Sequence, residues 1–401
     1  MQQLLEGLRV LELSNNVAGP FTGKLLAEYG ADVIKIEPLE GDSARHQGPY
    51  KDDIPNIETS LLFLHLSTNK KSITLNFESK NAVTIIKKFI EKTDIVIESF
   101  SPGQMESWGL SYQTLAKDHE DLIMASITPF GQSGPWKDYK ASEIVLQALG
   151  GPLHANGSAF REPIKSGGNI AQYHAGIATA FACIAARLRI IRGGRGDHID
   201  QAIYEAQAGF RDRRTSFTTG TSYTGYVAKR QPPGARPASG PRMTTDGYAN
   251  IFASGTRRFP AALDLIGRPD LKDHPDAKKQ PHLFSQEFAS ELEGSWMAWL
   301  INRDKKTAIA ETQEIGLLGG AIYTTKDLIE DEHYRSREVW DTIDHPVAGS
   351  AVYTGRQILL SETSRKKPLR APLLGEHNNE IYTEIGFTKK DIDEMKKNGI
   401  I

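Results

Sequence analysis

Apolar runs of strand length alternate with helical patterns over the first half of the chain. Residues 8–13 (LRVLEL) and 31–37 (ADVIKIE) are two such runs, and a polar turn followed by apolar residues at helical spacing lies between them. Pro20 suits the first turn of that helix, because its missing N–H has no intrahelical partner there, and Gly30 suits its end. This order predicts a βαβ unit with parallel strands and a right-handed crossover.

The same alternation continues to about residue 206, which predicts a parallel sheet covered by helices and therefore an α/β fold. Residues 80–92 (KNAVTIIKKFIEK) form an amphipathic pattern that leads into the strand-like TDIVIESF. Residues 228–241 (AKRQPPGARPASGP) are rich in proline and glycine, which predicts a linker or loop. From about residue 243 to 330 the pattern is separate, and short strands with a terminal helix follow it.

Ligands of parallel sheets bind at the carboxyl ends of strands, so residues 14–19 are expected to contact a substrate. The alternative is an ordinary Rossmann-like start with no ligand at this turn. The sequence contains no G-x-G-x-x-G fingerprint, which argues against a nicotinamide or flavin cofactor.

Composition limits the remaining classes of protein. A hydrophobic fraction of 39% is enough for a buried core, and a formal net charge of -2 gives no electrostatic reason to expect nucleic acid or an anionic membrane as partner. We find no apolar run of about 18 residues and no signal-peptide pattern. Cys183 is predicted to be a small buried apolar residue. With no His/Cys/Asp cluster we expect no metal, and the location predicted is the cytoplasm.

Several longer segments of the sequence resemble segments of the class III CoA-transferases, the family of formyl-CoA transferase, carnitine CoA-transferase and α-methylacyl-CoA racemase. The resemblance begins with residues 5–45 and extends almost to the end of the chain. It is carried by NKKS (69–72), DIVIESFSPG (94–103), ASITPFGQSGPW (125–136), EIVLQALGG (143–151), GGRGDHID (193–200), DGYA (246–249) and the final segment from APLLGEHNNE onward (371–401).

The resemblance implies a large, discontinuous Rossmann-like domain with a smaller α+β domain inserted into it. Residues 1–225 and 331–401 are assigned to the large domain, and residues 226–330 to the linker and the small domain. It also implies two subunits threaded through each other as an interlocked dimer.

A class III CoA-transferase moves CoA between carboxylic acids, and the resemblance implies a CoA thioester and a carboxylic acid as substrates, with no further cofactor. An aspartate near the start of a helix attacks the thioester and forms covalent intermediates. Counting back from Gly194 and Gly196, that position holds Gln172, an uncharged amide. Glu143 is the best substitute acid, although a structural role suits it better. The acid and base pair of the racemases falls on Ser142 and Gln172, which argues against racemisation.

Positions that match the family's CoA contacts lie in four segments. Pro38 occupies a position where relatives place a basic residue against adenine, and Arg45 is a candidate to compensate. The matched CoA-binding candidates are Asn15, Asn16, Val17, Ala18, Lys70, Lys71, Ser99, Phe100 and Lys140.

Three functions follow from these observations. The first is the subunit of a heteromeric transferase, of the benzylsuccinate CoA-transferase kind, whose paralogous partner supplies the aspartate. The second is a self-sufficient CoA-transferase that uses another carboxylate such as Glu143, or one of a subgroup that carries glutamine at this position. The dimer partner is accordingly either a second copy of the chain or the paralogue with the aspartate. The third is a non-enzymatic protein that binds CoA thioesters. The sequence does not identify the acyl group.

Overall fold

The computed structural model describes residues 3–209, 212–227, 229–230, 236–363 and 365–401. The chain folds into two compact units. The larger comprises Met1–Asn156, Pro163–Ala228 and His333–Ile401, and the smaller comprises Gly157–Glu162 and Lys229–Glu332. The predicted assignment of residues 226–330 to a separate domain stays a prediction, and residues 228 and 231–235 of the predicted linker lie outside the described part.

The strands of the described residues are β1 (Arg9–Leu13), β2 (Asp32–Glu37), β3 (Lys70–Thr74), β4 (Ile95–Glu98), β5 (Ile123–Thr128), β6 (His198–Ala202), β7 (Ser239–Thr244), β8 (Gly247–Phe252), β9 (Leu318–Ile322), β10 (Trp340–His345) and β11 (Gly349–Thr354).

The α-helices of the same residues are α1 (Ala18–Glu28), α2 (Leu61–Leu66), α3 (Ala82–Ile90), α4 (Gln104–Ser107), α5 (Tyr112–Leu115), α6 (Glu143–Leu149), α7 (Ile170–Ile191), α8 (Ile203–Gly209), α9 (Asp212–Thr224), α10 (Phe259–Leu265), α11 (Gln286–Leu300), α12 (Lys305–Glu314), α13 (Thr325–Glu330), α14 (Glu332–Ser336), α15 (Asn378–Glu384) and α16 (Lys389–Lys397).

A six-stranded sheet forms the centre of the larger unit, in the order β3-β2-β1-β4-β5-β6. All of its strand pairs are parallel, so the predicted βαβ start and parallel sheet are confirmed. Successive strand residues point to opposite faces. Val10 therefore packs in the core beneath α1 and α7, and Leu11 packs in the core beneath α3 and α15. The order reverses between β1 and β4, where ligands of such sheets bind.

Helix α7 has two apolar faces. One face is buried in the core with Ala171, Ala175 and Cys183, which confirms the buried position predicted for the cysteine. The other face keeps an exposed apolar stripe at helical spacing, Ile177, Phe181, Ile184, Leu188 and Ile191.

Helix α7 also corrects one expectation. Within the described residues it is the helix long and apolar enough to cross a membrane by length and composition, whereas the sequence was expected to hold no such segment. Uninterrupted apolar runs stop at His174 and at the arginines near the end of the helix, but an average over 18 residues tolerates them. Core helices of globular proteins have the same length and composition.

The smaller unit holds an antiparallel sheet in the order β7-β8-β9. Its core lies between this sheet and helices α10, α11 and α12, and Trp296 and Phe288 are its largest fully buried side chains. An antiparallel sheet with helices on it is the α+β pattern predicted for this part of the sequence.

After the smaller unit the chain returns to the larger one. Strands β10 and β11 form an antiparallel hairpin, and α15 and α16 follow it. Ile381 and Tyr382 of α15 are fully buried in the core over β3 and α3. The Tyr382 hydroxyl donates a hydrogen bond of 2.7 Å to the backbone oxygen of Thr74. Both ends of the chain therefore contribute to one core.

Candidate active site

The loop between β1 and α1 lies at the point where the strand order reverses. Its backbone is tied to the neighbouring strand ends. The backbone N–H of Asn15 donates to Ser99 Oγ beyond β4 at 2.9 Å, and the N–H of Asn16 donates to Asp42 Oδ1 beyond β2 at 3.1 Å. Asn16 has a φ of 70°, a left-handed conformation that asparagine tolerates better than most residues. The loop is thus held in one shape.

Buried charges beneath this loop hold it from below. Lys35 Nζ lies 2.9 Å from Glu12 Oε1 and 2.5 Å from Asp42 Oδ2, with all three side chains out of contact with solvent. Burial alone would raise the pKa of Asp42, but the Lys35 ammonium and the backbone N–H groups of Ala44 and Asn16 outweigh it and lower the pKa. Asp42 therefore stays ionised and accepts the Asn16 N–H.

Lys70 belongs to the same buried network. Its Nζ donates to Glu12 Oε2 at 2.8 Å and to the backbone oxygen of Pro20 at 2.6 Å, and its side chain has no exposed surface. Burial and the nearby Lys35 lower the pKa of Lys70 to about 8, against the opposing effect of Glu12. An ammonium in this position neutralises Glu12 and holds the first turn of α1. The CoA contact expected of Lys70 has no support in this geometry.

Gln172 lies in the first turn of α7 and faces the β1–α1 loop. Its Oε1 accepts a hydrogen bond of 3.1 Å from Asn16 Nδ2, and 8% of its surface remains exposed. The close approach of α7 to α1 depends on Gly176, because a Cβ there would lie 2.8 Å from the backbone oxygen of Ala18 and 3.1 Å from the ring of Phe21. The position at which relatives are expected to keep their aspartate therefore faces the predicted substrate loop.

Glu143, the first residue of α6, accepts hydrogen bonds from both α6 and α7. Its Oε1 accepts the backbone N–H of Ala171 at 2.7 Å and Nε2 of Gln147 at 2.8 Å. The first N–H groups of a helix have no partner within the helix, so a carboxylate at this point stabilises the start of α7. Among the described residues the other oxygen, Oε2, is buried without a hydrogen-bond partner. One oxygen thus has a structural task and the other has none.

The remaining predicted contacts differ in their accessibility. Val17 and Ala18 are buried side chains, so only their backbone can face a ligand. Lys71 is partly exposed and pairs with Asp32 and Glu380. Lys140 is exposed, and no hydrogen bond or ion pair engages it in the part of the chain that the structure describes.

Phe100 and Arg45 are engaged by the protein itself. The ring of Phe100 packs edge-on against Phe77 and Trp108, at centroid distances of 5.5 Å and 4.9 Å. Arg45 is completely buried, pairs with Glu37 at 2.7 Å and lies over the ring of Phe63. Arg45 is therefore no replacement for the missing adenine contact at Pro38.

Two side chains at the loop escaped prediction. Gln47 donates from Nε2 to Asn16 Oδ1 at 3.1 Å. Glu98 accepts the backbone N–H of Phe100 at 2.7 Å. Burial raises the pKa of Glu98 to about 7, with Asp200 contributing and the hydrogen bonds from Ser126 and Phe100 opposing. Glu98 was visible as the acid in DIVIESF, but no spacing indicates that it is buried.

Among the described residues, no group of three or more His, Cys, Asp or Glu side chains is placed to hold a metal ion. The geometry offers instead a cluster of polar side chains, Asn15, Asn16, Gln47 and Gln172, around the start of α1 and α7. Amide side chains of this kind can both donate and accept hydrogen bonds, and they carry no net charge.

The strand order and the loop at its reversal define a Rossmann-like α/β protein, a class whose ligands bind at the carboxyl ends of the strands beside the reversal, here β1 and β4. The chain belongs to CoA-transferase family III, whose sequence model matches residues 5–378. The predicted family and the predicted enzyme class, CoA-transferase, are thereby confirmed.

Named relatives cover essentially the whole chain. A formyl-CoA:oxalate CoA-transferase of Streptomyces avermitilis is 30% identical over 420 residues, covering 100% of both proteins. A succinyl-CoA–D-citramalate CoA-transferase of Chloroflexus aurantiacus is 30% identical over 403 residues, covering 99% of this chain and 98% of that protein. A solved CaiB/BaiF family protein from Brucella suis is 27% identical with a TM-score of 0.83, covering 96% of this chain and 100% of that one.

Proposed function

We propose that this chain is the subunit of a heteromeric CoA-transferase that binds a CoA thioester but lacks the attacking carboxylate, and that a paralogous subunit supplies an aspartate. The observation that carries the proposal is the neutral amide of Gln172 at the start of α7, facing the β1–α1 loop. The substrates proposed are a CoA thioester and a carboxylic acid, as the names of the relatives indicate for those enzymes.

The chemistry of an amide explains why Gln172 does not replace an aspartate. Covalent transfer begins when an ionised carboxylate attacks the thioester carbonyl and CoA thiolate leaves. The amide nitrogen of Gln172 has its lone pair delocalised, and its oxygen already accepts a hydrogen bond from Asn16. Neither atom is therefore an effective nucleophile, and the acyl group must be transferred to a carboxylate elsewhere.

The proposed CoA surface runs from the loop to the neighbouring strand end and on to the segment before α6. Asn15 and Ser99 present polar groups at the carboxyl ends of β1 and β4. Lys140 supplies a charge for a phosphate that no ion pair engages among the described residues, and Lys71 adds a second, partly neutralised one. Lysine acts on phosphate as a point charge, so accessibility matters more than fixed geometry. Lys70 is left out because it is buried against Glu12.

The exposed face of α7 supports a dimer. Five apolar residues with exposed fractions between 36% and 76% line it from Ile177 to Ile191. A contiguous exposed apolar stripe is typical of a protein interface. We assign this face to the contact with a second family III subunit, and we propose that the two subunits are interlocked. The location proposed for the complex is the cytoplasm. The partner is the paralogue that carries the aspartate rather than a second copy of this chain.

A self-sufficient enzyme is the second candidate, and one observation favours it. The Oε2 atom of Glu143 is buried without a hydrogen-bond partner in the described residues, although Oε1 stabilises the start of α7. A carboxylate with one unengaged oxygen is chemically able to attack a thioester. A binding protein without catalysis is the third outcome that the experiment below distinguishes.

The test is reconstitution. The chain is purified alone, the family III chain that copurifies with it is purified alone, and CoA transfer from succinyl-CoA to a panel of carboxylic acids is measured for each and for the mixture. We expect transfer only in the mixture, and no transfer when the partner's aspartate is changed to asparagine. Transfer by this chain alone, abolished by Glu143→Gln, would instead establish the second candidate. Binding of CoA without transfer in any mixture would establish the third.

A further inference from the structure

A chain of amide hydrogen bonds fixes which end of Gln172 faces outward. The backbone oxygen of Ser43 can only accept, and it takes a hydrogen bond of 3.3 Å from Gln47. The same Gln47 nitrogen also donates to Asn16 at 3.1 Å, so the Asn16 atom that it meets is the amide oxygen. The nitrogen of Asn16 must then face Gln172, and the Gln172 atom that accepts from it is Oε1.

Because Oε1 of Gln172 accepts from Asn16, the amide nitrogen Nε2 is the atom that remains for other contacts. Within the described part of the chain, Nε2 has no hydrogen-bond partner, and it is not among the atoms cut off from solvent. Its position is the first turn of a 22-residue helix, where the helix dipole favours a negatively polarised group. The Nε2 amide is therefore a donor without a protein partner in the described residues, on a side chain that packing and Asn16 hold beside the β1–α1 loop.

We infer that Gln172 binds the ligand through Nε2, as a hydrogen-bond donor to an sp² oxygen of the acyl group. That oxygen belongs either to the carbonyl of the CoA thioester or to the carboxylate of the free acid. Where an aspartate would attack, Gln172 holds and polarises the same group without forming a bond to it. The inference rests on the proposed function for the presence of a CoA ligand. Gln47 is a positioning residue, since it orients Gln172 through Asn16.

Two variants separate this role from simple packing. Gln172→Met removes the donor and keeps the length of the side chain. Gln47→Glu replaces the donor at the start of the relay by an acceptor, so that Asn16 turns its nitrogen towards residue 47 and its oxygen towards Gln172. Gln172 then presents its own oxygen to the ligand. Gln113→Glu, on an exposed side chain of α5, is the control for the added charge.

The readout is the ratio of affinities for acetyl-CoA and S-ethyl-CoA, which differ only in the carbonyl oxygen, measured by calorimetry. For the wild type we expect acetyl-CoA to bind about five- to tenfold more tightly, as one hydrogen bond provides. The ratio should fall to about one in Gln172→Met and below one in Gln47→Glu, and should be unchanged in Gln113→Glu. A parallel titration of succinate into the CoA-bound proteins tests whether Gln172 contacts the carboxylate of the free acid.

Each outcome has one meaning. A ratio that collapses in both variants assigns the thioester carbonyl to Gln172. A wild-type ratio near one, with succinate binding weakened about fivefold in both variants, assigns the carboxylate. If the wild type binds S-ethyl-CoA and neither variant alters the ratio or the succinate affinity, the inference is overturned while the proposed function stands. If no CoA compound binds the wild type, the proposed function fails and the inference fails with it.

Discussion

Replacing Glu98 by glutamine should change how stability depends on pH. Glu98 lies at the end of β4 with 2% of its surface exposed, and its carboxylate accepts the N–H of Phe100. Burial raises its pKa from 4.5 to about 7. The folded protein then keeps a proton that the unfolded chain releases between these two values, so the stability of the wild type falls as pH rises from about 4.5 to about 7.

The size of the effect follows from the same shift. At about 1.4 kcal/mol per pKa unit, the ionised carboxylate costs the folded state about 3 kcal/mol above pH 7. Glu98→Gln stays neutral at every pH and keeps an oxygen that can accept the Phe100 N–H. Relative to the wild type, the variant should therefore gain about 3 kcal/mol in free energy of unfolding between pH 4 and pH 8.

Urea unfolding at several pH values, followed by circular dichroism, measures this difference. Glu106→Gln removes an exposed carboxylate from α4 and controls for the loss of one charge. The expected result is a difference between Glu98→Gln and the wild type that grows through the window from pH 4.5 to 7 and is flat above it. Parallel profiles of the two proteins would refute the argument from burial.

Further predictions concern packing and charge. Gly196→Ala should lower the free energy of unfolding by more than about 3 kcal/mol or prevent folding, because its Cβ would lie 1.9 Å from a backbone oxygen. Gly294→Ala, in open space on α11, should raise the free energy of unfolding by about 0.5 to 1 kcal/mol, measured by thermal unfolding. Lys35→Met should lower the free energy of unfolding by about 3 to 5 kcal/mol, because the buried Asp42 loses its ammonium partner and Glu12 keeps only Lys70. Lys71→Met should lower it by less than about 1 kcal/mol in the same urea assay. Lys140→Ala should weaken CoA binding a few-fold at low salt, and the difference should shrink as salt is added, which calorimetry at two ionic strengths checks.

Much of the fold follows from the sequence because its signals are local. The strand and helix patterns of residues 8–37 depend on neighbouring residues, and β1, α1 and β2 are found where they indicate them. The physical cause of these patterns lies within one turn or one strand. The position of Gln172 followed instead from the resemblance to the family, by counting back from Gly194 and Gly196.

The roles of the charged residues did not follow, because burial is a property of the whole fold. Lys70 has the same sequence neighbourhood as Lys71, yet one points into the sheet's covered face and pairs with Glu12, while the other reaches the surface. Alternation along β3 separates the two, but the sequence does not say which face also holds a buried acid. The ion pair between Arg45 and Glu37 was hidden in the same way, because the sequence does not show that both side chains are buried.

The amide relay was equally hidden. Gln47 and Asn16 are 31 residues apart and Asn16 and Gln172 are 156 residues apart, and no motif connects the three. Only the packing of α7 against α1, with Gly176 at the contact, brings Gln172 within reach of the loop.

The central claim is that this chain holds its substrate without attacking it, because the position of attack carries Gln172. The most direct measurement is the intact mass of the isolated protein after incubation with succinyl-CoA, with hydroxylamine as a trap for acyl and thioester adducts on carboxylates. We expect the mass to be unchanged in the wild type and in Glu143→Gln. A covalent adduct on the wild-type chain, mapped by peptide sequencing to Glu143 or to any other carboxylate, would contradict the account.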